Sequence, residues 1–187
     1  FAHFDFEKEI DCNDLVYKLN SLLPKDIAIT TIFKVKPEAH TRFDALSRTY
    51  EYKISIVKNV FEFDYAYDVH LPLNVETMNK ACKILFQYKD FQCFSKSNTD
   101  VKTYNCDIKK AFWTDNSNQL VFTITADRFL RNMVRAIVGT MVNIGLGKLE
   151  PEALHDIIVS KNRSNAGFSV PAHGLYLVEI VYPSSIK

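Results

Sequence analysis

The chain has 187 residues, enough for one domain with its own core, and at 47% hydrophobic and 24% charged its composition is that of an ordinary globular protein. A formal net charge of +1 excludes a uniformly basic nucleic-acid binder, so any such role needs a local basic patch. No apolar run reaches membrane-spanning length.

Phe1 to Phe6 alternates like a strand already under way. It has neither the charged start nor the apolar stretch of a signal peptide, and the chain opens on Phe rather than Met. It is therefore expected to be part of a longer chain. From Asp14 to Leu23, the residues Leu15, Val16, Leu19, Leu22 and Leu23 share one helical face, which Pro24 ends. Ile27, Ile29, Thr31, Phe33 and Val35 alternate and predict a strand. A loop from Pro37 to Arg48 carries His40, Arg42, Phe43 and Asp44. Tyr50, Tyr52, Ile54 and Ile56 form the apolar face of the next strand.

Asn74 can cap a helix whose core positions are Met78, Ala81, Cys82, Leu85 and Phe86. Tyr104–Trp113 and Gln119–Ala126 read as two strands joined by a turn rich in Asn, Asp and Ser. A helix starting near Arg128 follows and closes near Gly145 and Gly147. Pro151 suits the first turn of another, with Leu154, Ile157 and Ile158 inward. Gly174 to Tyr182 is apolar on both faces, which predicts a central strand. Hairpins and helices mix without strict alternation. The expectation is one α+β domain over residues 1–187, with a mixed, largely antiparallel sheet and helices packed on one face.

Cys12, Cys82, Cys93 and Cys106 form no CxxC pair, and His3, His40, His70, His155 and His173 have no metal-ligand spacing. Scattered free thiols suit a reducing, cytoplasmic setting without a bound metal. Phosphate loops, dinucleotide fingerprints, GxSxG elbows and HExxH pairs are absent, which argues against a nucleotide cofactor.

Arg128, Arg131 and Arg135 fall at i, i+3 and i+7, so a continuous helix would put them on one face, opposite Leu130, Met133, Val134, Ile137 and Val138. Arginine is suited to carboxylate or phosphate through paired hydrogen bonds, although a solvated helix face is the commoner fate of such a row. Tyr50 heads a strand directly after a basic loop, where a tyrosine can lay its ring on a base or simply join the core. Arg42, Arg48, Lys96, Lys102, Arg128, Arg131 and Arg135, with Phe43, Phe94 and Tyr50 among them, could form a phosphate-and-base surface or a scatter of solvated charges. Asp44, Asp90, Asp100, Asp107 and Asp127 are candidate carboxylates, and no local setting singles one out.

Four blocks, in order, resemble the tRNA pseudouridine synthase A family. Phe43–Ile54 resembles the block around its substrate-stacking tyrosine, and Lys89–Phe94 its DF-x-x-F segment. Phe129–Gly139 resembles its F-x-x-x-MVR-x-IVG helix, and Ala172–Leu177 its A-x-GLYL strand. The resemblance runs from Phe1 to about Pro183; the MVR-x-IVG and GLYL blocks are its specific part. It implies isomerisation of uridine to pseudouridine in the tRNA anticodon arm, at tRNA positions 38 to 40, by a homodimer without cofactor or metal. By the same resemblance Arg135 pairs with the catalytic aspartate, Tyr50 stacks on the target base and Leu175 lines the uracil pocket. Arg42, in a block like H-A-R-F, is expected to contact RNA, as are Arg48, Lys96, Arg128 and Arg131. The chain departs from the family in having no GRTDAGVH-like block, where the nucleophilic aspartate sits. That loop is expected just before Phe1, and the chain alone is expected to be inactive. The alternative is a non-catalytic module that binds structured RNA.

Overall fold

A computed structural model describes residues 1–96 and 101–187. They divide into two compact units, one of Phe1–Ala45 with Tyr182–Lys187 and one of Leu46–Val181.

The smaller unit holds one helix, α1 (Cys12–Leu22). It begins two residues before Asp14 because the Asp11 carboxylate accepts hydrogen bonds from the Asn13 and Asp14 amides. None of its residues is fully buried. The alternating stretches Phe1–Phe6 and Ile27–Val35 form no strand, against the sequence-based expectation. A strand is a pairing, and among the described residues neither stretch finds a ladder. Ile29 is held instead by a side chain: Asn20 accepts from its N–H at 2.8 Å and donates to its carbonyl at 2.9 Å.

The larger unit is built on β1 (Ser47–Ser55). One side of β1 pairs antiparallel with β4 (Gln119–Ala126), which pairs antiparallel with β3 (Ile108–Asp115). Its other side is shared by β5 (Leu175–Val181), antiparallel along Ser47–Tyr52, and by the short β2 (Tyr67–Asp68), parallel at Ile54 and Ser55. The sheet is thus mixed and largely antiparallel, as expected of an α+β fold.

Tyr52, Ile54, Trp113, Phe122 and Ile124 pack into one core with the buried sides of α2 (Val75–Leu85), α3 (Met133–Gly145) and α4 (Ala153–Val159). Asn74 caps α2 through the Thr77 amide, as its position predicts, but Phe86 lies past the last turn and is exposed. Leu154, Ile157 and Ile158 turn inward on α4 as expected. Cys82, Cys93 and Cys106 are free and buried.

Three further expectations need correction. Arg48 belongs to β1, not to a loop. The strand expected from Tyr104 starts only at Ile108. β5 is not central: among the described strands it pairs with β1 alone, and Leu177, Val178 and Val181 are exposed. Apolar residues on both faces imitate a buried strand even where no second neighbour covers them.

Candidate active site

The site grows from the helix-facing side of β1. Tyr50 and Tyr52 project on this side because strand side chains alternate. Across the ladder Tyr50 stands opposite Leu177 and Tyr52 opposite Leu175, with a bulge between Thr49 and Tyr50. Leu175 therefore shares a face with both tyrosines. The half-buried Tyr50 ring meets Phe129 edge-on, with centroids 5.1 Å apart at 89°.

Arg135 comes to the same region from the first turn of α3 and is half-buried. Its Nε donates to the Val170 carbonyl at 2.6 Å, and the Val170 amide returns a bond to the Arg135 carbonyl at 3.3 Å. The next carbonyl, Pro171, accepts from the Tyr52 hydroxyl at 2.7 Å. Adjacent backbone carbonyls thus tie the arginine to the tyrosine that faces Leu175. Burial holds the Tyr52 hydroxyl protonated, well above the usual tyrosine range; Tyr67 adds to this and the Arg135 cation opposes it. Tyr52 is therefore a donor that pins the backbone, not a base. Among the described residues, the Arg135 Nη nitrogens have no hydrogen-bond or ion-pair partner. A half-buried guanidinium with its fork open is suited to an anion.

Arg128 and Arg131 do not share a helix face with Arg135. Asn132 lies at φ 71°, in the left-handed region, so α3 starts only at Met133. Upstream, one Asp127 carboxylate oxygen accepts from the Asp107 and Arg128 amides and turns the chain out of β4. The basic residues gather around this turn rather than along a helix. Arg48 donates from Nη1 to the Asp127 carbonyl at 3.3 Å, Arg128 is half-buried and Arg131 exposed. The exposed Lys96 donates its backbone N–H to the Arg131 carbonyl at 2.9 Å. Arg42 belongs to the smaller unit, with its guanidinium 5.7 Å from the centroid of the exposed Phe43 ring.

The candidate carboxylates are engaged elsewhere. Asp44 accepts from the His40 amide, Asp90 pairs with Lys161 at 2.7 Å, Asp107 pairs with Lys89, and Asp127 holds its own turn. Asp100 lies outside the described residues. No group of three His, Cys, Asp or Glu side chains among the described residues could hold a metal ion.

Sequence reasoning missed the segment that holds Arg135 in place. Arg163 to Pro171 carries no helical or strand periodicity, yet it lies directly against α3. The Gly167 amide donates to Thr140 Oγ1 at 2.8 Å, and a Cβ on Gly139 would stand 1.9 Å from the Phe168 carbonyl oxygen. The available signal was that Gly139 and Gly167 are two of only five glycines, a weak hint of close backbone approach.

The sequence has clear relatives. A family model described as tRNA pseudouridine synthase matches residues 81–183, more than half of the chain. The tRNA pseudouridine synthase A of Parabacteroides distasonis is 53% identical over 99% of this chain and 74% of its own length. That of Bacteroides fragilis is 51% identical over the same shares, and that of Bacillus subtilis 37% identical over 96% of this chain and 74% of its own. The chain belongs to the tRNA pseudouridine synthase family. β3, β4, all of α3 and Leu175 lie inside the matched region, whereas Tyr50 is reached by the pairwise likenesses.

Proposed function

We propose that this chain forms the greater part of an enzyme that isomerises uridine to pseudouridine in tRNA, at positions 38 to 40 of the anticodon arm. The reaction moves the ribose bond from N1 to C5 of uracil; the C5 proton leaves and N1 gains one. No cofactor or metal enters the reading. The enzyme would act in the cytoplasm as a homodimer. No described helix is long and apolar enough to cross a membrane.

The observation that carries this reading is Arg135, half-buried, aimed by the Val170 carbonyl and beside the face shared by Tyr50 and Leu175. Drawing the target base out of the RNA stack costs about a few kcal/mol. The Tyr50 ring and the Leu175 side chain offset part of this as two walls of a slot. The reading assigns the nucleophilic carboxylate to residues before Phe1. In a closed pocket such a carboxylate tends to take up a proton, and a two-pronged guanidinium keeps it ionised and aimed. It then attacks the nucleotide covalently. Arg42, Arg48, Lys96, Arg128 and Arg131 meet the phosphates.

The test is a single-turnover assay of the full-length protein on tRNA tritiated at uridine C5. Release of tritium is the expected result. Retention of the tRNA without release would favour the non-catalytic RNA-binding module instead.

Two variants probe the parts. Arg131→Ala is expected to weaken tRNA binding and to lower the log–log salt slope by about one unit, as loss of one phosphate contact does. An unchanged slope, read by filter binding at several salt concentrations, would make Arg131 an ordinary surface residue. Tyr50→Phe keeps the stacking ring and removes only the hydroxyl. Loss of turnover with tRNA affinity retained is expected if that hydroxyl moves the C5 proton. Full activity would restrict Tyr50 to stacking.

A further inference from the structure

The segment from Arg163 to Pro171 crosses α3 and is fastened to it at several points. At one end Arg163 grips the segment itself, donating from Nη1 to the Gly167 carbonyl at 2.9 Å and from Nη2 to Ser169 Oγ at 2.8 Å. From the other side Asn132, the residue that opens α3, donates its amide to the same Ser169 Oγ at 2.6 Å. A hydroxyl oxygen has two lone pairs, and here both are taken by donors. Ser169 is thus the knot between the start of the helix and the Arg163 guanidinium. The next residue, Val170, carries the carbonyl that receives Arg135 Nε.

Without this knot the backbone bonds from the Val170 amide to the Arg135 carbonyl and from the Gly167 amide to Thr140 would remain, but the side-chain tie that joins the residue opening α3 to the segment just before Val170 would be lost. Arginine has several rotatable bonds, so a single bond at Nε leaves the direction of the fork dependent on where its acceptor sits. Asn132 sits in the left-handed region and makes no side-chain cap to its own helix; its amide reaches the segment instead.

We propose that Arg163, Ser169 and Asn132 form a positioning clasp whose purpose is to aim the Arg135 fork at the nucleophilic carboxylate. This inference rests on the role given to Arg135 above. Ser169 is its central positioning residue, and none of the three needs to touch the substrate. Misplacing a reacting group by ~1 Å can cost about a hundredfold in rate. Removing one tie of the clasp should cost less, about tenfold.

The test compares Ser169→Ala with Ser169→Thr in the full-length protein. Three quantities are followed: the single-turnover rate, the tRNA dissociation constant and the Nε–H resonance of Arg135, assigned with Arg135→Lys. In Ser169→Ala the rate is expected to fall about tenfold while tRNA affinity stays within about twofold. The Arg135 Nε–H signal should move toward that of free arginine and exchange faster. Ser169→Thr, which keeps the hydroxyl, should restore the rate and the signal. An unchanged rate and signal in Ser169→Ala would overturn the proposal. So would equal loss of rate, affinity and thermal stability in both variants, which marks a merely structural residue. If the unmodified protein releases no tritium, the synthase reading itself fails, and the Nε–H signal still reports whether Ser169 holds Arg135.

Discussion

Arg135→Ala in the full-length protein is expected to lower the single-turnover rate by roughly a hundredfold to a few thousandfold while tRNA affinity falls by less than about threefold. Breaking a buried charge pair costs about 3–5 kcal/mol because the remaining charge is left uncompensated. At about 1.4 kcal/mol per factor of ten, that range corresponds to the rate loss stated. The folded state loses less. Among the described residues the one hydrogen bond of this side chain runs from Nε to the Val170 carbonyl, a contribution of about 1 kcal/mol. Arg135→Lys separates the two roles. A lysine can still reach one carbonyl or one carboxylate oxygen, so stability should recover, but it has no planar fork and the rate should stay low.

The pH profile supplies an independent check. On the proposed pairing, removing the guanidinium takes away the charge that favours the ionised form of the nucleophilic carboxylate, so its pKa rises. The acid limb of the rate profile should shift to higher pH in Arg135→Ala, with part of the activity recovered there. Parallel loss of rate and RNA affinity, with no shift of the limb, would remove Arg135 from catalysis.

Where the sequence could be read, local chemistry decided the structure. Asn74 caps α2 and the polar turn near Ser117 joins β3 to β4, and both are encoded within a few residues. Misreadings arose where distant partners decide. The arginine spacing suits a helix from Arg128, but the Asp127 carboxylate, which also accepts from the distant Asp107 amide, and the left-handed Asn132, which bonds Ser169, keep that stretch out of it. The final strand is apolar on both faces, yet neighbours determine whether a strand is central, and β5 has β1 alone among the described strands. The expectation that Ile27–Val35 forms a strand failed for the same reason.

The site shows this division again. Periodicity alone could not choose Tyr50 from nine tyrosines, and it was the MVR-x-IVG and GLYL blocks that singled out Arg135 and Leu175. Nothing in the sequence pattern pointed to Ser169, because its partners Asn132 and Arg163 stand 37 and 6 residues away in no regular element shared with it.

Gly139→Ala should be among the most damaging single substitutions in the larger unit. The added Cβ would lie 1.9 Å from the Phe168 carbonyl oxygen and 3.0 Å from its carbon. These are backbone atoms, so no rotamer change relieves the overlap, and the segment must lift from α3. Alanine raises helix propensity by about 1 kcal/mol over glycine, which acts in the opposite direction. Overpacking a tight contact typically costs about 1–3 kcal/mol and occasionally more. Backbone-on-backbone overlap belongs at the upper end, so a net loss of about 2 kcal/mol or more is expected. For a chain of this size that lowers the melting temperature by roughly 4–8 °C. The functional loss should outlast the stability loss. Phe168 lies two residues before Val170, so a lifted segment carries the acceptor away from Arg135 Nε even well below the melting temperature. Gly147→Ala is the control. Its φ of +68° makes alanine strained there, at a cost of about 1 kcal/mol, but nothing lies within 4 Å of the added Cβ. It should lower stability and leave the turnover of the folded enzyme unchanged. Thermal melts and single-turnover rates of the two variants separate the effects, and a wild-type melting temperature for Gly139→Ala would mean that the segment does not rest on α3.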